Sequence, residues 1–265
     1  MAVLYKLDDW LAHGVVAGFT DREGGVSRSP YDSFNLGLHV GDSQEDVLSN
    51  RAIIAKTIDS VPQHFVFAKQ VHGNRAWHVG KKEVGKGAFS MDDAIEDADA
   101  LVTMEKGVPL IILSADCAPV LFAGRDQKVV GAAHAGWRGA TSGIITSTMT
   151  MMVDLGVSPE ALQVAIGPTI RGCCYEVDEP VAEAVRETYR RLSVHQGEAL
   201  IPSVKKPGHF MLDIPTLIRE ELASLGVASE HVHDTGICTH CDERFFSHRR
   251  ENGYTGRQGA FIYLK

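Results

Sequence analysis

The stretch VPLIILSADCAPVLFAGRDQKVVGAAHAGWRGATSG, residues 108–143, decides how this chain is read. Pro109–Leu113, Pro119–Phe122 and Val129–Ala133 are short apolar runs, and a polar turn at Gly124–Lys128 separates the last two. Runs of this length bounded by turn residues predict paired strands in a buried sheet. Asp116, Cys117 and His134 lie inside them, where a polar group is costly unless paired or bound. Asp116 and Cys117 are adjacent and would face opposite ways in a regular strand. Both reach one pocket only if the strand ends or bulges there, and Pro119 favours an ending. Gly136-Trp137-Arg138-Gly139 then opens a helix, which offers free backbone N–H groups and an arginine to an anion.

Cys117 and His134 sit on runs that can be neighbours, and His72 supplies a third candidate ligand upstream in Lys69-Gln70-Val71-His72-Gly73. Two imidazoles and a thiolate with a fourth position open is how catalytic zinc sites are built. A buried structural thiol with two hydrogen-bonded core histidines is the competing reading.

With 265 residues, 44% of them hydrophobic, the chain suffices for one large domain or two small ones with a real core. A net charge of −8 argues against general nucleic-acid binding and against an anionic membrane surface. The best apolar run, Val108–Ala123, holds Asp116 and two prolines and is too short to span a bilayer. Asp8, Asp9 and His13 interrupt the first 20 residues, so no secretory start is read. A soluble cytoplasmic protein with its five cysteines reduced is expected.

Outward from the central stretch, Val15–Thr20 reads as a strand entering a glycine-rich loop that lacks phosphate-loop spacing. Residues 33–42 read as a strand or extended loop, with Asn35 and His39 as turn residues. Ser43–Ile58 predicts a helix capped by Ser43 or Asp42, with Val47, Ile54 and Ile58 inward. Arg51 in that helix is an exposed salt-bridging residue or a phosphate contact. Alternation over His64–His72 predicts a strand that puts Gln70 and His72 on the face of Val66 and Ala68. Asp97 and Asp99 read as a solvated turn before a strand rather than an acid–base pair. After the glycine turn, Ile145, Met149, Met152 and Val153 form one apolar helix face. Leu155-Gly156-Val157-Ser158-Pro159-Glu160 is echoed by Leu225-Gly226-Val227-Ala228-Ser229-Glu230, each between a helix and a short strand followed by cysteines. This predicts a duplicated helix–strand unit. Helices are expected over Pro180–Leu192, capped by Asp178, and over Asp213–Leu225, capped by Asp213. Cys238-Thr239-His240-Cys241 alone is too little for a metal knuckle or redox pair. The segment Phe245–Arg250 reads as a small-anion site or a salt-bridged strand.

Several of these segments, taken in order, resemble the YfiH/YlmD-like laccase-domain family. They are Lys69–Gly73, Ala98–Val102, Ser114–Val120, His134–Gly139, Ala165–Pro168, Cys174–Val177, Phe245–Arg250 and Tyr254–Arg257. Together they cover nearly the whole chain. The resemblance implies a single domain over residues 1–265, an α+β, layered α-β-β-α sandwich with mixed sheets and intertwined internal repeats. It implies a purine nucleoside phosphorylase that turns adenosine, inosine, guanosine or methylthioadenosine, with phosphate, into base and ribose 1-phosphate. Adenosine deaminase side activity is also implied. The family's zinc ligands carry over to His72, Cys117 and His134, and copper suits the same donors.

On that footing the catalytic candidates are His72, Cys117, His134 and Asp116. Familiar zinc deaminases carry a Glu in His-x-Glu. Here His134 is followed by Ala135 and Gly136, so Asp116 or a water held by Gln70 would have to replace that base. Arg51, Arg138 and the amides near Gly139 are candidates to hold phosphate, and Asn35 to meet the nucleoside. The expected partners are purine nucleosides and phosphate, with the protein a monomer or small homo-oligomer. Competing readings are a cysteine- or zinc-dependent hydrolase editing peptidoglycan precursors, a copper-dependent polyphenol oxidase, and a zinc-stabilised nucleotide-binding protein without turnover. The sequence lacks the larger histidine inventory of classical multicopper enzymes.

Overall fold

A computed structural model of the chain describes residues 4–126, 128–194 and 197–265. From the N-terminus come β1 (Leu4–Lys6), α1 (Asp8–Leu11), β2 (Val15–Thr20) and α2 (Gln44–Thr57). Then follow β3 (Ala76–Val79), β4 (Ala100–Thr103), β5 (Leu110–Ser114), β6 (Ala118–Gly124) and β7 (Val130–Ala135). Next are α3 (Trp137–Ser142), α4 (Ile144–Asp154), β8 (Leu162–Ile166), β9 (Glu176–Asp178) and α5 (Glu179–Leu192). β10 (Leu200–Pro202), β11 (His209–Leu212), α6 (Ile214–Ser224), β12 (Val232–Asp234) and β13 (Gln258–Leu264) complete the chain.

The three apolar runs of the central stretch form strands, but not in one sheet. β6 and β7 make the expected antiparallel hairpin, with Val120 opposite Ala133. Gln127, inside the expected turn Gly124–Lys128, lies outside the described residues. β5 instead joins a four-stranded antiparallel sheet of order β1-β2-β13-β5, while the hairpin centres a six-stranded mixed sheet of order β12-β8-β6-β7-β4-β3. The chain crosses between the sheets in the bend at Ala115–Cys117. Asp116 takes a left-handed φ of 90° there, which sets it and Cys117 free of strand alternation. Pro119 lies within β6, opposite His134, and does not end the strand.

Alternation then builds the layers. Odd and even residues of one strand face different cores, as the pleat requires. Leu110 and Ile112 of β5 pack with Ala260 and Ile262 of β13 and with Leu121, Val130 and Ala132 of the larger sheet, between the two sheets. Ile111, Leu113, Phe261 and Tyr263 face the other way, onto Ile54, Ala55 and Ile58 of α2 and its end. Val120, Phe122, Ala133, Val164 and Ile166 face Ile145, Met149 and Met152 of α4 with Leu217, Ile218 and Leu222 of α6. The result is the helix–sheet–sheet–helix sandwich that the resemblance implies.

Several elements match their sequence signals. Ser43 caps α2 by accepting from the Asp46 N–H, and Asp213 caps α6 by accepting from Thr216. Asp178 stands at the start of α5 without a side-chain cap, so that helix begins on Pro180 in its first turn instead. Val153 is 41% exposed and does not join the α4 face. The duplicated unit is present. α4 and α6 both end in Leu-Gly-Val, with Gly156 and Gly226 left-handed (φ 96° and 90°). Val157 and Val227 donate back to Met152 and Leu222. Each unit continues through one 3₁₀ turn into β8 or β12, and these two strands lie side by side in parallel.

Two expected site residues belong to the scaffold. Arg51 is fully buried, stacked 3.8 Å above the Phe67 ring. It donates to the carbonyls of Leu36, Gly87 and Ala88 at 2.6–3.0 Å. Its guanidinium ties α2 to two loops and is spent, so it is neither an exposed ion-pair partner nor a phosphate contact. Asn35 is also fully buried, and its amide engages Gly37, Asp42 and the Arg257 N–H rather than a cavity. Replacing Arg51 by Met strands three buried carbonyls and should cost about 3 kcal/mol in urea unfolding. A loss below about 1 kcal/mol would contradict this assignment.

Candidate active site

Asp99 organises the site. It is fully buried, not the solvated turn residue expected. One carboxylate oxygen accepts from the His72 backbone N–H at 3.0 Å and meets His134 Nδ1 at 2.8 Å. The other accepts from the Val71 and Gly73 N–H groups at 3.1 and 2.8 Å. Burial opposes ionisation, but His134 and these amides outweigh it and lower the Asp99 pKa. The turn at residues 71–73 is therefore wrapped around a carboxylate, with His72 in a left-handed conformation (φ 61°). This is why the expected strand over His64–His72 is broken: only Val66 and Ala68 make isolated bridges. Gln70 does not neighbour His72 as a strand would place it. Its amide donates to the Leu113 carbonyl at 2.7 Å and accepts from the Leu113 N–H at 2.9 Å, which moors the loop to β5 and leaves it a poor water holder.

His134, at the end of β7, shares its inter-sheet face with Val130 and Ala132 as the alternation predicts. Its Nδ1 faces Asp99, so Nε2 is turned toward Cys117 and His72. The ligand atoms of His72, Cys117 and His134 all lie within 4.8 Å of one another, and the two rings stand edge to face at 4.8 Å. Gly136 leaves the space for them. A Cβ there would lie 2.9 Å from Cys117 Sγ and 3.0 Å from His72 Cδ2. Burial would raise the Cys117 pKa, yet His134 and His72 bring it down to about 6. Burial would lower that of His134, yet Cys117 and Asp99 raise it to about 9. A thiolate, two imidazoles and a carboxylate behind one of them match the donor set of a zinc or copper ion.

The set opens into a cavity of about 540 Å³, in the range of small-molecule sites. Its walls include Met91, Leu113, Trp137, Ile170, Tyr175 and Ile214. His39, His248, Arg249 and Arg257 also line it, and Asp116 is its only lining carboxylate among the described residues. Asp116 is a pin, not a free base. One carboxylate oxygen accepts from the Thr239 hydroxyl and the other from the Arg249 N–H, both at 2.6 Å. Its carbonyl accepts from Thr169 and Ile170. Arg138 is exposed on α3, stacked 4.3 Å from the Trp137 ring, outside the cavity lining. Burial raises the Tyr175 phenol to about 12, helped by Cys117, so it stays a neutral donor. His39 opens onto the cavity with its pKa lowered by the surrounding protein and then by Arg257 and Arg51. The cationic lining thus comes mainly from Phe245–Arg250, where the small-anion reading fits though no strand forms, and from Arg257. Asp99, Arg249 and Arg257 stood in the recognised segments, but nothing in their local spacing marked them as convergent.

Comparison with known proteins places this architecture. Residues 16–265 match the family model described as multi-copper polyphenol oxidoreductase laccase. The chain belongs to this family. Within the family, it is 39% identical to the protein named purine nucleoside phosphorylase YlmD of Geobacillus stearothermophilus, covering 94% of this chain and 90% of that one. It is 40% identical to the YlmD of Bacillus subtilis that carries the same name, over 95% and 89% of the two chains. The crystal structure of the Bacillus licheniformis hypothetical protein YfiH superposes with a TM-score of 0.93 at 35% identity, covering 99% and 96%. Among the described residues of this member, only two groups of three or more His, Cys, Asp or Glu could hold a metal, one of two histidines with a cysteine and one of four cysteines. No described helix is long and apolar enough to cross a membrane.

Two measurements check the site. Gly136→Ala and Asp99→Asn should each weaken metal binding, about 10- to 100-fold for the loss of the Asp99 support, as read by competition with a chromogenic chelator. Unchanged affinity in both would refute the donor set. In metal-free protein, alkylation of the Cys117 peptide followed by mass spectrometry should fall as pH drops through about 6, because the thiolate is then protonated. A midpoint near the ordinary thiol value would show that His134 and His72 do not stabilise the thiolate.

Proposed function

We propose that this protein is a purine nucleoside phosphorylase with zinc held by His72, Cys117 and His134, and with adenosine deamination as a second activity. The observation that carries this reading is the pairing, in one cavity, of apolar and aromatic walls with an arginine-lined region beside the Cys-His-His set. The name borne by the YlmD relatives supports it.

Trp137, Tyr175 and the aliphatic residues offer a purine flat, dry contacts. Arg249 and Arg257 offer the charge that phosphate requires. In phosphorolysis a phosphate oxygen bonds to C1′ of the ribose as the bond from C1′ to the purine nitrogen breaks, and the base leaves with that electron pair and takes a proton. The cationic side chains hold the incoming phosphate in line, and Tyr175 can hydrogen-bond the nucleoside. Asp99 keeps the proton on His134 Nδ1, which leaves Nε2 as a ligand or partner for the thiolate. A bound zinc ion would supply Lewis acidity at that end of the cavity.

A second reading rests on a specific geometry. Cys117, His134 and Asp99 follow the order nucleophile, base and orienting carboxylate of a cysteine hydrolase. It predicts turnover of an amide substrate such as a peptidoglycan precursor, persisting in chelator. The phosphorylase reading predicts loss of turnover in chelator.

Purified protein incubated with adenosine, inosine and phosphate should release free base and ribose 1-phosphate only when phosphate is present, with Cys117→Ala inactive. Arg249→Ala should raise the KM for phosphate about 10-fold or more and change the KM for nucleoside less. Inosine formed from adenosine without phosphate would establish deamination. No phosphate-dependent product from metal-loaded protein would overturn the assignment.

A further inference from the structure

The second metal-competent group lies outside the cavity. Cys173, Cys174, Cys238 and Cys241 come from two loops, and Cys173 and Cys174 meet Cys241 across 68 and 67 residues of sequence. Their sulfurs all lie within 4.8 Å of one another, with Cys173 Sγ 3.7 Å and Cys174 Sγ 3.2 Å from Cys241 Sγ. A zinc ion bonded to four thiolates at about 2.3 Å places the sulfurs about 3.8 Å apart along each tetrahedral edge. The Cys173–Cys241 spacing of 3.7 Å is close to that value, the Cys174–Cys241 spacing of 3.2 Å is somewhat shorter, and the whole set stays within 4.8 Å. All four thiols are free, and the spacings exceed the roughly 2.05 Å of a disulfide.

The Cys-x-x-Cys segment, which by itself lacks two ligands, meets them here. Its turn is held by backbone hydrogen bonds around Cys238. Cys238 O accepts from the Cys241 and Asp242 N–H groups at 3.1 and 2.9 Å. Burial opposes ionisation of the Cys238 thiol, but the N–H groups of Arg171, Cys241 and His240 donate to its sulfur. Arg250 braces the same turn through the carbonyls of Thr239 and His240 at 2.6 and 3.2 Å. Arg171, paired with Asp234 at 2.7 Å, lies close enough to Cys238 to offset part of the negative charge of a four-thiolate site.

The duplication explains why the two cysteine pairs meet. β8 and β12 are parallel neighbours, and the loops that leave them stay paired. The Thr169 N–H donates to Ile237 O and the Thr239 N–H to Thr169 O. Each unit delivers its cysteines at the same end of the sheet.

We propose that Cys173, Cys174, Cys238 and Cys241 form a structural four-thiolate zinc site that clamps the two loops together. The clamp bears on the cavity from outside. One loop carries Ile170 and Tyr175, and the other carries Thr239, which donates to Asp116, and leads to His248 and Arg249. The metal holds this wall and takes no part in the chemistry.

The test uses full-length Cys117→Ala protein, so that the cavity site cannot contribute a thiolate, purified under reducing conditions and loaded with cobalt(II). The expected result is one cobalt per chain with the intense visible d–d bands and sulfur-to-cobalt charge-transfer bands of a tetrahedral four-thiolate ion. Zinc should bleach these bands, shield the four thiols from iodoacetamide and raise the melting temperature. Adding Cys241→Ser should remove the four-thiolate spectrum. Should that double variant fail to fold, the zinc-dependent shielding of the four thiols decides instead. Absence of thiolate bands, equal alkylation with and without zinc, or recovery of Cys174 and Cys241 as a disulfide would each overturn the proposal. The result does not depend on whether the cavity group holds a metal, because that group lacks its cysteine in this protein.

Discussion

A single buried carboxylate, Asp99, constrains the rest of the site. An unpaired carboxylate at this depth would not remain charged. The four donors around it are therefore obligatory, and three of them are consecutive backbone amides. Satisfying them bends residues 71–73 into a turn, forces His72 into its left-handed conformation and sets the azimuth of the His134 ring. The positions of both histidines thus follow from one electrostatic requirement. Gly136 completes the arrangement by leaving empty the volume that the sulfur and the His72 ring occupy.

The second constraint is the passage of the chain from one sheet to the other. A strand that stayed in its sheet would have sent Asp116 and Cys117 to opposite faces. The bend at Ala115–Cys117 releases them. Cys117 turns to the histidines, while Asp116 becomes the meeting point of three segments through Thr169, Thr239 and Arg249. Ladder hydrogen bonds run out at such a crossing, so polar groups there are available to side chains and ligands. The cavity lies where the sandwich stops pairing with itself.

Scaffold and site share the same kinds of residue. Arg51 and Arg249 are both arginines in polar neighbourhoods of the sequence, yet one is consumed by backbone carbonyls beneath the sheet and the other lines the cavity. Asn35 does not reach the cavity; it accepts from the Arg257 N–H and so supports a residue that does. Burial and hydrogen-bond supply separate these roles, and both depend on segments far away in the chain.

Local regularities are legible in the sequence. Short apolar runs bounded by turn residues in 109–135 announced buried strands, and Leu-Gly-Val at two places announced equivalent helix ends. Ser43 and Asp213 announced their caps. These signals act within a few residues, through pleat geometry and the left-handed freedom of glycine. His72, Cys117 and His134 were named as a set from their chemistry together with a family resemblance. The partition of β5 from β6, the burial of Asp99 and Arg51, and the meeting of four cysteines were decided by tertiary structure. Each depends on whether distant segments supply donors, acceptors or thiols at one point in space. The chain's own order does not encode that, because a buried polar residue and a solvated one look alike until their partners are in place.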